Sequence, residues 1–71
     1  MNPPDGIKPM LTTGEAARVL RVSESRVSSW LKGGRLAYCQ AGPSAWRMIA
    51  AAELARFSER HGWPLAWEHA L

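Results

Sequence analysis

Apolar residues recur at helical spacing near the start of the chain. Ala16, Ala17 and Leu20 lie at positions i, i+1 and i+4, which places them on one face of a helix. Thr12 followed three residues later by Glu15 is the pattern of a capping box, in which each side chain accepts a free backbone N–H of the first helical turn. We therefore predict a helix of about two turns that starts after Thr12 and ends at Leu20.

A second helix is predicted directly after a tight turn. Ser23 is suited to cap its first turn, and Gly33-Gly34 is suited to end it. Val27, Trp30 and Leu31 recur at i, i+3 and i+4, so they form the inner face of this helix. The remaining positions are mostly small, polar or basic, which predicts an exposed outer face.

Two short runs of alternating residues follow, over 35–40 and 45–49, on either side of a Gly-Pro turn. This pattern is typical of a β-hairpin. A third helix is predicted over 51–61, and Gly62-Trp63-Pro64 ends it. The predicted core beyond the first helix includes Trp30, Leu36, Tyr38, Ile49, Leu54 and Phe57.

The predicted order of elements is helix, tight turn, helix, two-stranded hairpin, helix. Two short helices around a tight turn form a helix-turn-helix, whose second helix enters the major groove of DNA, and a hairpin that follows them is a wing. The expected fold is therefore mainly α with a small β-hairpin, a winged helix-turn-helix. Residues 1–9 are predicted to be a flexible leader, 10–65 the domain and 66–71 a C-terminal tail.

Composition and charge narrow the function. The chain of 71 residues suffices for one small domain, and no apolar run approaches the roughly 20 residues of a membrane span. Residues 18–47 hold six of the nine Lys and Arg residues but one of the six acidic residues, which indicates a surface that meets a polyanion. The Pro-rich start lacks the pattern of a secretory signal, and Cys39 is the single cysteine, so we expect a cytoplasmic, nucleoid-associated protein.

Several stretches, taken in order, carry a resemblance to a known family. They are Leu11-Thr12-Thr13-Gly14-Glu15-Ala16-Ala17-Arg18-Val19-Leu20-Arg21-Val22-Ser23, then Val27 with Trp30, Gly34-Arg35-Leu36, Arg47 with Ile49, Glu53-Leu54, and Phe57-Ser58-Glu59-Arg60-His61-Gly62-Trp63-Pro64-Leu65. Together they resemble the small winged helix-turn-helix domains of the MerR and phage-excisionase type. The resemblance implies sequence-specific binding of double-stranded DNA by a bacterial or phage transcription regulator or an excisionase-like architectural factor. The chain departs from the family at Arg21, where the family often has Gly.

The candidate DNA-binding residues share a polar, basic or aromatic side chain near the first helix start, on the second helix or in the wing. They are Thr12, Thr13, Ser25, Arg26, Ser28, Ser29, Lys32, Arg35, Gln40, Ser44, Trp46 and Arg47. Arg26 is expected to pair with guanine in the major groove, Lys32 to bind phosphate, and Arg47 to lie along the backbone or the minor groove. Each group also has a purely structural interpretation. Thr12 and Thr13 could be helix caps, the polar residues of the second helix could be a solvated face, and Trp46 could pack in the core.

Enzymatic chemistry is not indicated. Cys39, His61 and His69 are too few and too scattered for a zinc site, no phosphate-binding loop or nucleophile motif is present, and we expect no cofactor. The tail either covers the third helix or forms an exposed apolar patch that binds protein through Trp63, Leu65 and Trp67. Two further expectations concern partners. The domain self-associates or assembles cooperatively on DNA, or, as the alternative function, it is an adaptor whose tail binds a partner such as RNA polymerase or another regulator.

Overall fold

Three helices and a two-stranded antiparallel sheet form the part of the chain that the structure describes, residues 3–39 and 47–70 of a computed structural model. The elements in chain order are β1 (Met10–Thr12), α1 (Thr13–Leu20), α2 (Glu24–Lys32), β2 (Met48–Ala50), α3 (Ala51–His61) and a C-terminal 3-10 helix (Trp67–Ala70). The predicted mainly helical fold and the bounds of all three helices are confirmed. None of the described helices is long and apolar enough to cross a membrane.

The capping box predicted for α1 is present. The Thr12 hydroxyl accepts the Glu15 backbone N–H at 3.1 Å, and the Glu15 carboxylate accepts the Thr12 N–H at 3.0 Å. At the other end, Arg21 has left-handed backbone angles, φ 61° and ψ 44°, and the Val22 N–H reaches back to the Ala17 carbonyl at 3.0 Å. This closing pattern turns the chain sharply toward α2 and is usually made by Gly.

The second helix begins and ends where the sequence predicts. The Ser23 hydroxyl accepts the Arg26 N–H at 3.2 Å, and Gly33 follows the last helical residue. Val27 and Leu31 are buried against the core, as their spacing predicts. Because these two side chains fix the rotation of α2 about its axis, the opposite face is left to solvent.

The sheet differs from the predicted hairpin. Strand β2 pairs with β1, with Leu11 opposite Ile49, and the run over 35–39 meets β2 at one bridge, Cys39 with Met48. Strand β1 is not predicted from the sequence, because its last residue, Thr12, carries the signal of a helix cap and serves both elements. The tip of the predicted wing lies outside the described residues.

One expectation about burial is corrected. Tyr38, predicted to be in the core, is 41% exposed, whereas Leu36, Ile49, Leu54 and Phe57 are buried as predicted. Trp30 is half-buried and stacks on Phe57, with ring centroids 5.0 Å apart. Within the predicted flexible leader, Ile7 packs on the core and the Pro9 carbonyl accepts the Ala51 N–H at 2.9 Å.

The C-terminal tail packs on α1, and Trp63 also lies against Phe57 of α3. The Ala66 N–H donates to the Val19 carbonyl at 2.8 Å, and the Trp63 indole N–H donates to the Leu20 carbonyl at 2.9 Å. Leu65 and Trp67 are 9% and 5% exposed. The expected exposed apolar patch is therefore not formed by these two residues, which complete the core beneath the helix-turn-helix.

Candidate nucleic-acid interface

A cleft lies between the start of α1, the flank of α2 and the residue that leads into β2. We call it the α1–α2 cleft; its lining residues are Thr12, Thr13, Gly14, Arg18, Glu24, Ser28 and Arg47. Four of them, Thr12, Thr13, Ser28 and Arg47, belong to the predicted DNA-binding set. The fold therefore brings together candidates that are 35 residues apart in the sequence.

The start of α1 supplies hydrogen-bond donors to this cleft. The capping box pairs the N–H groups of Thr12 and Glu15, so the N–H groups of Thr13 and Gly14 are first-turn donors that the helix itself cannot pair. The Lys8 ammonium, 2.6 Å from the Glu15 carboxylate, and the Thr12 N–H lower the pKa of that carboxyl below its ordinary value of 4.5. The ionised Glu15 keeps the cap closed at neutral pH.

Strand register delivers Arg47 to the same cleft. Met48 pairs with Thr12 across the sheet, so Arg47, one residue earlier, lies beside the first turn of α1. Its guanidinium carbon is 5.2 Å from the centroid of the Tyr38 ring. The residue that leads into β2 thus brings one cation to the cleft that Thr13 and Gly14 also line.

The outer face of α2 forms a ridge beside the cleft. At about 100° per residue, Ser29 lies opposite the buried stripe of Val27 and Leu31, with Ser25 and Arg26 on either side of it. All three outer residues are exposed. Lys32 follows one turn after Ser28 and is exposed as well. This surface is small and basic, so a duplex groove can approach the helix backbone closely.

The remaining predicted site residues fall elsewhere. Arg35 is exposed in the turn after α2, and its carbonyl accepts a hydrogen bond from the Arg60 guanidinium at 3.3 Å. The structure does not bring Arg35 into the α1–α2 cleft. Gln40, Ser44 and Trp46 lie outside the described residues.

Three residues of the cleft are absent from the predicted site set, namely Gly14, Arg18 and Glu24. Arg18 is four residues after Gly14 and therefore lies on the same side of α1, a spacing that could have found it. A Cβ atom on Gly14 would lie 2.5 Å from Glu24 Oε1, so the missing side chain lets the Glu24 carboxylate rest against α1. No sequence signal connects these two residues, because their contact depends on the angle between α1 and α2.

The basic residues of the chain divide into two electrostatic classes. The ion pairs among the described residues join Lys8 to Glu15, and Arg56 and Arg60 to Glu53. All three of these cations lie outside the basic stretch 18–47. Within the described part of the chain, that stretch contributes no cation to an ion pair, and its members are Arg18, Arg21, Arg26, Lys32, Arg35 and Arg47. These charges remain available to an external polyanion.

Metal binding has no support in residues 3–39 and 47–70, which contain no group of three or more His, Cys, Asp or Glu side chains able to hold an ion. The chemistry available at the interface is therefore that of hydroxyls, guanidinium and ammonium groups, backbone N–H donors and one carboxylate. These are the groups with which proteins contact phosphate oxygens and base edges.

Comparison with known proteins agrees with this geometry. Residues 10–62 match the protein family described as "Helix-turn-helix domain", a family of DNA-binding domains that are typically not enzymes. No curated protein and no solved structure matches the chain. The matched segment runs from β1 to the end of α3 and contains every lining residue of the α1–α2 cleft. The chain therefore belongs to the helix-turn-helix domain family.

Proposed function

We propose that the protein is a sequence-specific binder of double-stranded DNA of the MerR or phage-excisionase type, acting as a small transcription regulator or as an architectural factor. The observation that carries the proposal is the convergence, at the α1–α2 cleft, of helix N-terminal N–H groups and two cations that form no ion pair with another described residue, next to the exposed ridge of α2. The family match supports DNA as the partner.

In this proposal the ridge of α2 enters the major groove. Arg26 donates two hydrogen bonds to guanine O6 and N7, and the hydroxyls of Ser25 and Ser29 donate to or accept from neighbouring base edges. The short serine side chains allow the helix to lie deep in the groove. Discrimination between sequences therefore rests mainly on Arg26.

The α1–α2 cleft binds the phosphate backbone beside that groove. The N–H groups of Thr13 and Gly14 face a phosphate at the positive end of the α1 dipole, and Arg18 and Arg47 add two positive charges. Lys32 contacts a second phosphate from the end of α2. These contacts set the register of the helix in the groove and carry no sequence information themselves.

Self-association on DNA is part of the same proposal. A single domain of this size covers one half-site, so useful specificity requires pairs or head-to-tail arrays on neighbouring sites. A fragment with several sites should then bind with a steeper isotherm than a fragment with one site. Identical, non-cooperative isotherms on both fragments would remove this part of the proposal.

The rival function, an adaptor that uses the tail to bind protein, has less support. Leu65 and Trp67 are buried against α1, so they could contact a partner only after leaving the core of their own domain. The Trp63 indole N–H is likewise engaged by the Leu20 carbonyl.

The first experiment is selection of bound duplexes from a random pool at near-physiological salt, followed by affinity measurements on the selected and a scrambled duplex. We expect an enriched motif. Arg26→Ala should lower the discrimination between the two duplexes by about 1–3 kcal/mol. Arg18→Ala and Lys32→Ala should weaken both duplexes alike and reduce the slope of log affinity against log salt by about 1 each.

Arg56→Ala is the control, because Arg56 is an exposed cation on α3 that does not line the cleft and pairs with Glu53. It should change neither the discrimination nor the salt slope by more than a small fraction of the Arg18→Ala effect. Retention of DNA without any enriched motif would refute sequence-specific recognition. If Arg26→Ala, like Lys32→Ala, weakened binding to the selected and the scrambled duplex equally, the assignment of different roles to the two residues would be refuted.

A further inference from the structure

Tyr38 is the large apolar side chain that the described part of the fold leaves most exposed, and its ring lies beneath a cation of the α1–α2 cleft. The ring is 41% exposed, and the Arg47 guanidinium carbon lies 5.2 Å from its centroid. That distance is within the range of an attractive cation–π interaction. The exposed ring therefore has an intramolecular partner, and the partner is a predicted DNA-binding residue.

Backbone register explains why these two side chains meet. Cys39 and Met48 form an antiparallel bridge, with N–H to carbonyl distances of 2.8 and 2.9 Å in the two directions. Tyr38 and Arg47 each precede one member of that pair, so they are diagonal neighbours on one face, within reach of an aromatic ring and a long side chain. The bridge thus fixes the two backbones, and the ring orients the guanidinium.

The pairing of β2 with β1 places Arg47 at the cleft. Met48 is opposite Thr12 of β1, so the residue before it stands at the first turn of α1. Arg47 lines the cleft together with Thr13 and Arg18. Without the Tyr38 ring, the Arg47 side chain would lose more conformational entropy when it binds a phosphate, and this loss opposes association.

We infer that Tyr38 is a positioning residue for DNA binding, which holds the Arg47 guanidinium in the α1–α2 cleft before the duplex arrives. The inference rests on the proposed function. Tyr38 acts through Arg47 and needs no contact of its own with DNA. The aromatic ring is the required feature, and the phenol hydroxyl is not.

The test is a double-mutant cycle on the full chain, measured with the duplex found by selection and at several salt concentrations. Tyr38→Leu removes the ring and keeps an apolar side chain, and Tyr38→Phe is the matched variant that keeps the ring. Both are made alone and together with Arg47→Ala. Thermal unfolding of every variant verifies that the domain stays folded, which the exposure of Tyr38 favours.

We expect Arg47→Ala to weaken binding and to lower the salt slope by about 1. Tyr38→Leu should weaken binding by about two- to fivefold at a nearly unchanged salt slope, since the charge remains, and Tyr38→Phe should stay within about twofold of the natural protein. In the Arg47→Ala background, Tyr38→Leu should have no further effect, which is the coupling expected of two groups in contact.

Three results would overturn the inference. One is an equal loss from Tyr38→Leu with and without Arg47, which would mean that the ring acts independently of the cation. Another is a Tyr38→Phe variant as weak as Tyr38→Leu, which would assign the effect to the hydroxyl. The third is a folded Arg47→Ala variant that binds as tightly as the natural protein while the natural protein still prefers the selected duplex. That last result would leave the proposed function standing, whereas no DNA binding by the natural protein would remove both.

Discussion

Replacing Arg21 by Gly is expected to stabilise the fold at the turn between α1 and α2. Arg21 has φ 61° and ψ 44°, in the left-handed region where a Cβ atom is close to the following carbonyl oxygen. A non-Gly residue pays about 1–2 kcal/mol there, whereas Gly adds roughly 0.4–1 kcal/mol of backbone entropy to the unfolded chain. The difference leaves a net gain of about 1 kcal/mol for Arg21→Gly, a rise in Tm of about 4–8 °C for a domain of this size.

Arg21→Ala separates backbone strain from the loss of the side chain. Both variants lose the same charge and the same exposed methylene groups, but Ala keeps the strained Cβ atom. Thermal unfolding of the natural protein and the two variants, followed by circular dichroism at one protein concentration, measures the differences. We expect Arg21→Gly to unfold at the highest temperature of the three. A Gly variant no more stable than the Ala variant would refute the argument that the turn is strained.

Three further predictions concern stability and charge. Lys8 and the Thr12 N–H lower the pKa of Glu15, so the contribution of Glu15 to stability is present above pH 4.5 and is lost as the pH falls through the lowered pKa. Lys8→Ala should reduce this acid-dependent loss of stability, measured by thermal unfolding at several pH values, and an unchanged loss would contradict the prediction. Trp67→Phe should change the free energy of unfolding by less than about 1 kcal/mol, because it removes a buried indole N–H that has no hydrogen-bond partner in the described part of the chain. Trp67→Ala should lower the free energy of unfolding by about 3–5 kcal/mol, and denaturant titrations measure both variants. Glu24→Gln removes the negative charge of the cleft and should tighten binding to the selected and the scrambled duplex alike, by up to about fivefold in titrations at low salt. Weaker binding to the selected duplex alone would instead indicate that Glu24 contacts a base.

The helices were predictable because their signals are local. Thr12 with Glu15, Ser23, and the Gly residues that follow α2 and α3 each act within one helical turn, so the sequence alone predicts where those helices begin or end. The pairing of β1 with β2 was not predictable, because it joins residues that are far apart in the sequence. Leu11 is completely buried opposite Ile49, and no local signal connects the two.

The candidate interface was predictable only in part, for a related reason. Periodicity identifies the exposed ridge of α2, since Val27 and Leu31 mark the opposite side. It does not identify the cleft, which is formed by the angle between α1 and α2 and by the register of β2. Arg18 and Glu24 enter the site through that geometry, and Tyr38 leaves the core because the 35–39 run meets β2 at one bridge and not along a whole strand.

The division of charges implies that DNA affinity and stability can be altered independently. The ion pairs that link the leader to α1 and that lie along α3 use Lys8, Arg56 and Arg60, whereas the described cations of the 18–47 stretch form none. The exposed cations of this stretch include Arg18, Arg26, Lys32 and Arg35. Exposed charges outside ion pairs contribute little to folding, so neutralising these four one at a time should move Tm by no more than the effect of an ordinary surface substitution. Losses of DNA affinity in such variants then report on contacts with the duplex. Arg21 and Arg47 are exceptions in the stretch. The backbone geometry of Arg21 couples it to stability, and the half-buried Arg47 contacts the Tyr38 ring.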